Sequence, residues 1–154
     1  MSQNFSENLV KGKITENIFQ QMFVESDEFY VYPLGLEHTL PSISQDHHDP
    51  VVRKILSQIR LTPDFMITPK DKDGAYLVEV KYHHTLDLTM IIDNAIEIDE
   101  KWQYCWLFVA TQEGFYFDSC WDIKEQKNIK RLDESRISNE LQNKYHALLK
   151  DFLK

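Results

Sequence analysis

The sequence predicts an α/β fold in which a mixed central β-sheet is flanked by helices. Three observations carry this. Short stretches such as PDFMITP at 63–69 and AYLVEVKYH at 75–83 are strand-like runs, bounded by proline, glycine and aspartate. Other stretches, at 14–23, 52–59 and 137–152, place apolar residues at helical spacing. The two kinds of segment interleave along the chain instead of separating into halves.

The elements follow in order. A first helix is expected from about Glu7 or Thr15 through Val24, with Ile14, Ile18, Phe19, Met22 and Phe23 on its apolar face. YVYPLG at 30–35 reads as a short strand stopped by Pro33 and Gly35, and residues 38–48 as a polar, irregular stretch. Asp49 and Pro50 supply an N-cap and a first-turn proline for a helix continued by Val52, Ile55, Leu56 and Ile59. Then come a strand over 63–69, a turn at DKDG (71–74) and a more apolar strand over 75–83. A helix is expected from about Asp87 to Trp102 and a strand over 105–111. Glu113-Gly114 turns into FYFDSC at 115–120. An amphipathic helix over about 134–153 carries Ile137, Leu141, Tyr145, Leu148 and Phe152.

Composition limits the classes open to the chain. Its 154 residues hold no repeats, low-complexity tracts or Gly/Ser linkers, so one domain over residues 1–154 is expected. A hydrophobic content of 42% excludes a disordered or fibrous chain. Cys105 and Cys120 form no CxxC pattern and read as reduced residues of an intracellular protein, with a single disulfide left open. The longest apolar run, CWLFVA at 105–110, is too short to span a membrane, so a cytoplasmic location without membrane contact is expected. The net charge of −8 opposes a broad clamp on duplex DNA. A nucleic-acid enzyme with this charge needs local basic patches, a bound cation, or a partner protein that delivers the substrate.

The stretch TPDFMITPKDKDGAYLVEVKYH concentrates the chemistry. Strand alternation puts Leu77, Glu79, Lys81 and His83 on one face and Val78, Val80 and Tyr82 on the other. Asp64, Met66 and Thr68 share a face of the preceding strand. A two-residue turn at 72–73 sets Asp64 directly opposite Lys81; a turn at 73–74 sets it diagonal. Both registers place Asp64, Glu79 and Lys81 on one face, and an odd loop length would break the arrangement. Two adjacent carboxylates stay ionised readily only with a cation between them, and oxygen ligands suit Mg²⁺ or Mn²⁺. A lysine beside that cation makes sense if a phosphate, or the water attacking it, completes the site. A bare ExK in a strand is more often a cross-strand salt bridge. Here a Pro-Asp opens the neighbouring strand in compatible register, and VEVKY otherwise has the character of a buried strand.

Pro63-Asp64, followed fifteen residues on by Glu79-Val80-Lys81, resembles the signature of the PD-(D/E)XK nuclease superfamily. The α-β-β-β-α-β order over roughly 12–111 is similar to that family's restriction-endonuclease-like core. The resemblance implies a Mg²⁺-dependent endonuclease that hydrolyses phosphodiester bonds, with DNA the expected substrate, leaving 5′-phosphate and 3′-hydroxyl ends. It implies Asp64, Glu79 and the Val80 carbonyl as metal ligands and Lys81 as the group that orients or activates water. Many members also carry an acidic residue on the first helix. Glu16, at the edge of the apolar stripe, is the match, and an ordinary exposed glutamate is an equal reading; Glu37 is a weaker substitute.

Other candidates are less specific. His47-His48 and His83-His84 lack zinc spacing with the cysteines. His83 could touch a phosphate, although a plain strand-end histidine is the more ordinary use. Trp102, Gln103, Tyr104 and Trp106 could stack on bases, with packing between helix and strand the plainer role. Lys124, Lys127, Lys130 and Arg131 form the best local cluster for nucleic-acid binding, against a solvated surface as the ordinary reading. Nothing matches GxxxxGK[ST] or GxGxxG among four glycines. Cutting both strands of a duplex suggests a homodimer, with the C-terminal helix as a candidate interface. Two rivals remain: a nuclease-fold binding module without turnover, and an α/β protein in which ExK is a surface salt bridge.

Overall fold

The computed structural model describes residues 3–34, 49–52, 54–55 and 62–153. Helix α1 spans Gln3–Glu25, α2 Leu88–Lys101, α3 Cys120–Gln126 and α4 Asn139–Phe152. Strands β1 to β5 span Phe29–Pro33, Phe65–Pro69, Tyr76–Tyr82, Cys105–Ala110 and Phe115–Ser119. Residues 50–52 and 54–55 are also helical, and the Asp49 carboxylate accepts the Val51 N–H at 2.8 Å, the bond expected of an N-cap. Leu56 and Ile59 lie outside the described residues, as do Gly35, Glu37 and His47-His48.

The strands form one five-stranded mixed sheet in chain order. β1–β2, β2–β3 and β4–β5 are antiparallel; β3–β4 is parallel. A parallel pair requires a crossover, and α2 supplies it between β3 and β4. The Asp87 carboxylate starts that helix by accepting the Met90 N–H at 3.2 Å. β4 lies inside the sheet with apolar clusters on both faces, which explains its nearly unbroken apolar run.

The sheet separates two cores. On one face Ile18, Phe19, Met22 and Phe23 of α1 pack with Phe65, Val78, Val80 and Phe108, joined by Ile137 just ahead of α4 and Leu149 within it. Phe108 lies at the centre, with ring centroids 5.0 Å from Phe19, 5.4 Å from Phe115 and 6.1 Å from Phe23. On the other face Ile91 and Ala95 of α2 and Cys120 and Ile123 of α3 pack on Cys105, Leu107 and Val109. No helix among the described residues is long and apolar enough to cross a membrane.

Several element boundaries differ from expectation. α1 begins at Gln3, ahead of both expected starts; Leu9 and Val10, in the stretch before Ile14, are exposed. β5 stops at Ser119, and an unexpected helix, α3, begins at Cys120. The Ser119 hydroxyl accepts the Asp122 N–H at 3.1 Å, and Lys127 closes the helix in a left-handed conformation at φ 53°. At seven residues α3 is too short to show a helical repeat. α4 begins at Asn139 rather than 134, where the Ser138 hydroxyl accepts the Leu141 N–H at 3.2 Å.

Candidate functional site

Asp64 stands immediately before β2 and is 6% exposed. Its carbonyl accepts the Leu34 N–H at 3.0 Å, and its Oδ2 accepts the Val80 N–H at 2.8 Å. Backbone and side chain are thus both held, the latter by an N–H of β3. In the β2–β3 ladder Phe65 pairs with Val78 and Met66 with Leu77. One further step puts Asp64 opposite Glu79, which corrects both expected registers, each of which aimed Asp64 at or diagonal to Lys81. Residues 70–75 lie outside both strands, so the connection is wider than a two-residue turn. Its even length preserves parity, and Asp64, Glu79 and Lys81 still share a face.

That face belongs to α2. Val78 and Val80 point into the core beneath α1, while Glu79 and Lys81 line a cavity of about 130 Å³ with Asn94, Glu97, Ile98, Lys101 and Trp102. Glu97 pairs with Lys101 at 3.6 Å on the same wall. Asn94, Glu97 and Lys101 were not singled out from the sequence. Their signal is their spacing, which sets them beside the inward stripe of Ile91, Ala95 and Ile98.

The two carboxyls hydrogen-bond each other, and the Glu79 pKa is pushed up to about 10. Burial is the largest cause, followed by the hydrogen bond to Asp64 and the Asp64 charge; Lys81 opposes them. At neutral pH the metal-free pair therefore holds a proton on Glu79. Cys105 lies behind the pair, free and buried. Its hydrogen bond with Cys120 and its burial push its thiol pKa upward, so Cys105 remains a protonated packing group.

The remaining candidates fall elsewhere. Glu16 is half-buried on α1, next to the fully buried Thr15, and α1 covers the sheet face opposite Glu79 and Lys81. The group of Val80 that meets Asp64 is its N–H. The basic residues divide among different surroundings. Lys124 pairs with Asp99 at 2.9 Å and lies over the Trp121 ring, and the Arg131 guanidinium lies over Tyr116. Lys127 caps α3, and Lys130 lines a cavity on the α1 side of the sheet. His83 is half-buried, and its pKa is lowered by that burial.

A divalent cation can be tested against this donor set. Two carboxylates offer hard oxygen atoms, and Mg²⁺ commonly rests on one or two such groups with water and substrate phosphate around it. Among the described residues no group of three or more His, Cys, Asp and Glu side chains converges to hold a metal. Two carboxylates alone therefore fit Mg²⁺ only where water, backbone and substrate supply the remaining ligands. Compared with known proteins, the chain matches no family model, no curated protein and no solved structure.

Proposed function

We propose that this chain is a metal-dependent nuclease, hydrolysing phosphodiester bonds of nucleic acid, with DNA the expected substrate. The observation that supports the reading is the contact of two sequestered carboxyls beside a lysine, at the wall of a cavity. Asp64 and Glu79 would hold Mg²⁺ or Mn²⁺, with the Val80 carbonyl as the backbone donor. The cation would supply Lewis-acid stabilisation of charge on the phosphate. Lys81 would hold the attacking water or a phosphate oxygen by its ammonium group. Asp64, anchored by the Val80 N–H, would keep the ligand geometry from relaxing. Glu79 would have to release its proton to serve as a ligand, so cation affinity should rise with pH.

The proton held by Glu79 and the net charge of −8 favour one second reading. In it the pair locks β2 to β3, and the chain is a binding module without turnover. Incubation of single- and double-stranded DNA and RNA with purified protein, with Mg²⁺, with Mn²⁺ and with chelator, separates the two. Cation-dependent cleavage that disappears in Asp64→Asn supports the nuclease. Binding without cleavage under every condition supports the module.

A further inference from the structure

A second cavity lies on the other side of the sheet from Glu79 and Lys81, and its lining has a chemistry of its own. Its volume is about 290 Å³. The floor is three aromatic side chains from successive strands: Tyr76 of β3, Trp106 of β4 and Phe117 of β5. Trp106 joins them: its ring centroid lies 4.9 Å from Phe117 at an interplanar angle of 34°, and 5.7 Å from Tyr76, which meets it edge-on at 72°. All three are half-buried, whereas Phe108, one step further along β4 on the same face, is fully covered by α1. The wall opposite includes Leu132 and Ile137 from the segment between α3 and α4. The lining carries both signs: Lys72, Lys130, Arg131 and Arg136 with Asp118, Asp122 and Asp133. Arg136 is bonded to Glu28 and Asp71 and the Arg131 guanidinium lies over Tyr116, which leaves Lys72 and Lys130 as the more adaptable cations.

We infer that this cavity binds a nucleobase, stacked on Trp106 beside Phe117, with Tyr76 closing its side and its polar edge against the rim. A hydrocarbon would desolvate Lys72 and Lys130 without pairing their ammonium groups, and a simple aromatic anion would face three carboxylates. A planar ring that offers both donors and acceptors satisfies lysines and aspartates together. The volume suits one base with its sugar, at the low end for small-molecule sites. The base can arrive on a free nucleotide or as one unit of a single strand, since stacking reads the same π-face in both. This site is independent of the carboxylate pair and does not rest on the nuclease reading.

The test is calorimetric titration without divalent cation, in moderate salt so that phosphate attraction is screened. The probes are adenosine monophosphate, a short single-stranded oligodeoxyadenylate and an abasic oligomer of equal length. The mononucleotide binds if the site takes free nucleotides; only the base-bearing oligomer binds if it takes a strand. Either result supports the inference when Trp106→Leu weakens it by roughly tenfold to a hundredfold, the scale of losing one stacking partner. Tyr76→Leu, at a half-buried position, provides the same test should Trp106→Leu fail to fold. Asp64→Asn protein should bind as wild type does, which keeps this result separate from the fate of the nuclease reading. The inference is overturned if neither base-bearing probe binds at millimolar concentration, if the abasic oligomer binds equally, or if the folded platform variants bind undiminished.

Discussion

Replacing Glu79 by Gln exchanges a carboxyl that holds a proton for a neutral amide of nearly the same shape. In the folded, metal-free protein the Glu79 pKa is pushed up to about 10, against an ordinary 4.5 in the unfolded chain. Between those values the native state keeps a proton that the unfolded chain has released, so rising pH favours unfolding. The contribution is fully present below the unfolded pKa and is lost as pH rises toward the folded one. The limiting slope is about 1.4 kcal/mol per pH unit, or about 2.7 kcal/mol between roughly pH 6 and pH 8. Glu79→Gln removes this linkage while keeping an N–H to donate to Asp64. Urea unfolding of both proteins in chelator, at several pH values, isolates the difference because all other titrating groups are shared. The difference in unfolding free energy should shift by about that amount, with wild type losing stability relative to the variant. Parallel pH profiles would refute the reasoning and show that Glu79 ionises normally in the folded state.

Other outcomes test separate parts of the structure. Lys81→Ala should leave the fold intact and reduce Mg²⁺-dependent cleavage by roughly a hundredfold or more, measured in single-turnover assays; full activity would reduce Lys81 to a strand lysine. Mn²⁺ should raise the melting temperature of wild type, more at higher pH, and this rise should vanish in Asp64→Asn and Glu79→Gln. Phe108→Ala, which empties the centre of the aromatic cluster, should cost about 3–5 kcal/mol in denaturant unfolding. Light scattering should report a homodimer if α4 pairs through Leu148 and Phe152, which are 39% and 65% exposed; a monomer at high concentration would exclude that interface.

What the sequence determined by itself was whatever depends on local periodicity. The α/β alternation, the five strands, the crossover helix after β3 and the shared face of Asp64, Glu79 and Lys81 all follow from spacings of two or 3.6 residues. Parity of the β2–β3 connection survived an error in its length, because any even loop keeps the same residues on the same face. Helix α3 escaped because a seven-residue element shows its cap, Ser119, but no repeat. Only tertiary structure decided which carboxylate faces which: the wider connection over 70–75 slides the register so that Asp64 meets Glu79 instead of Lys81. Only tertiary structure placed α1, with Glu16, across the sheet from the pair, and Asn94, Glu97 and Lys101 around it. The charge state of Glu79 is likewise a property of the assembled fold. It depends on how far packing removes water from a carboxyl and how close it brings a second one, and neither distance is encoded in residue spacing along one strand.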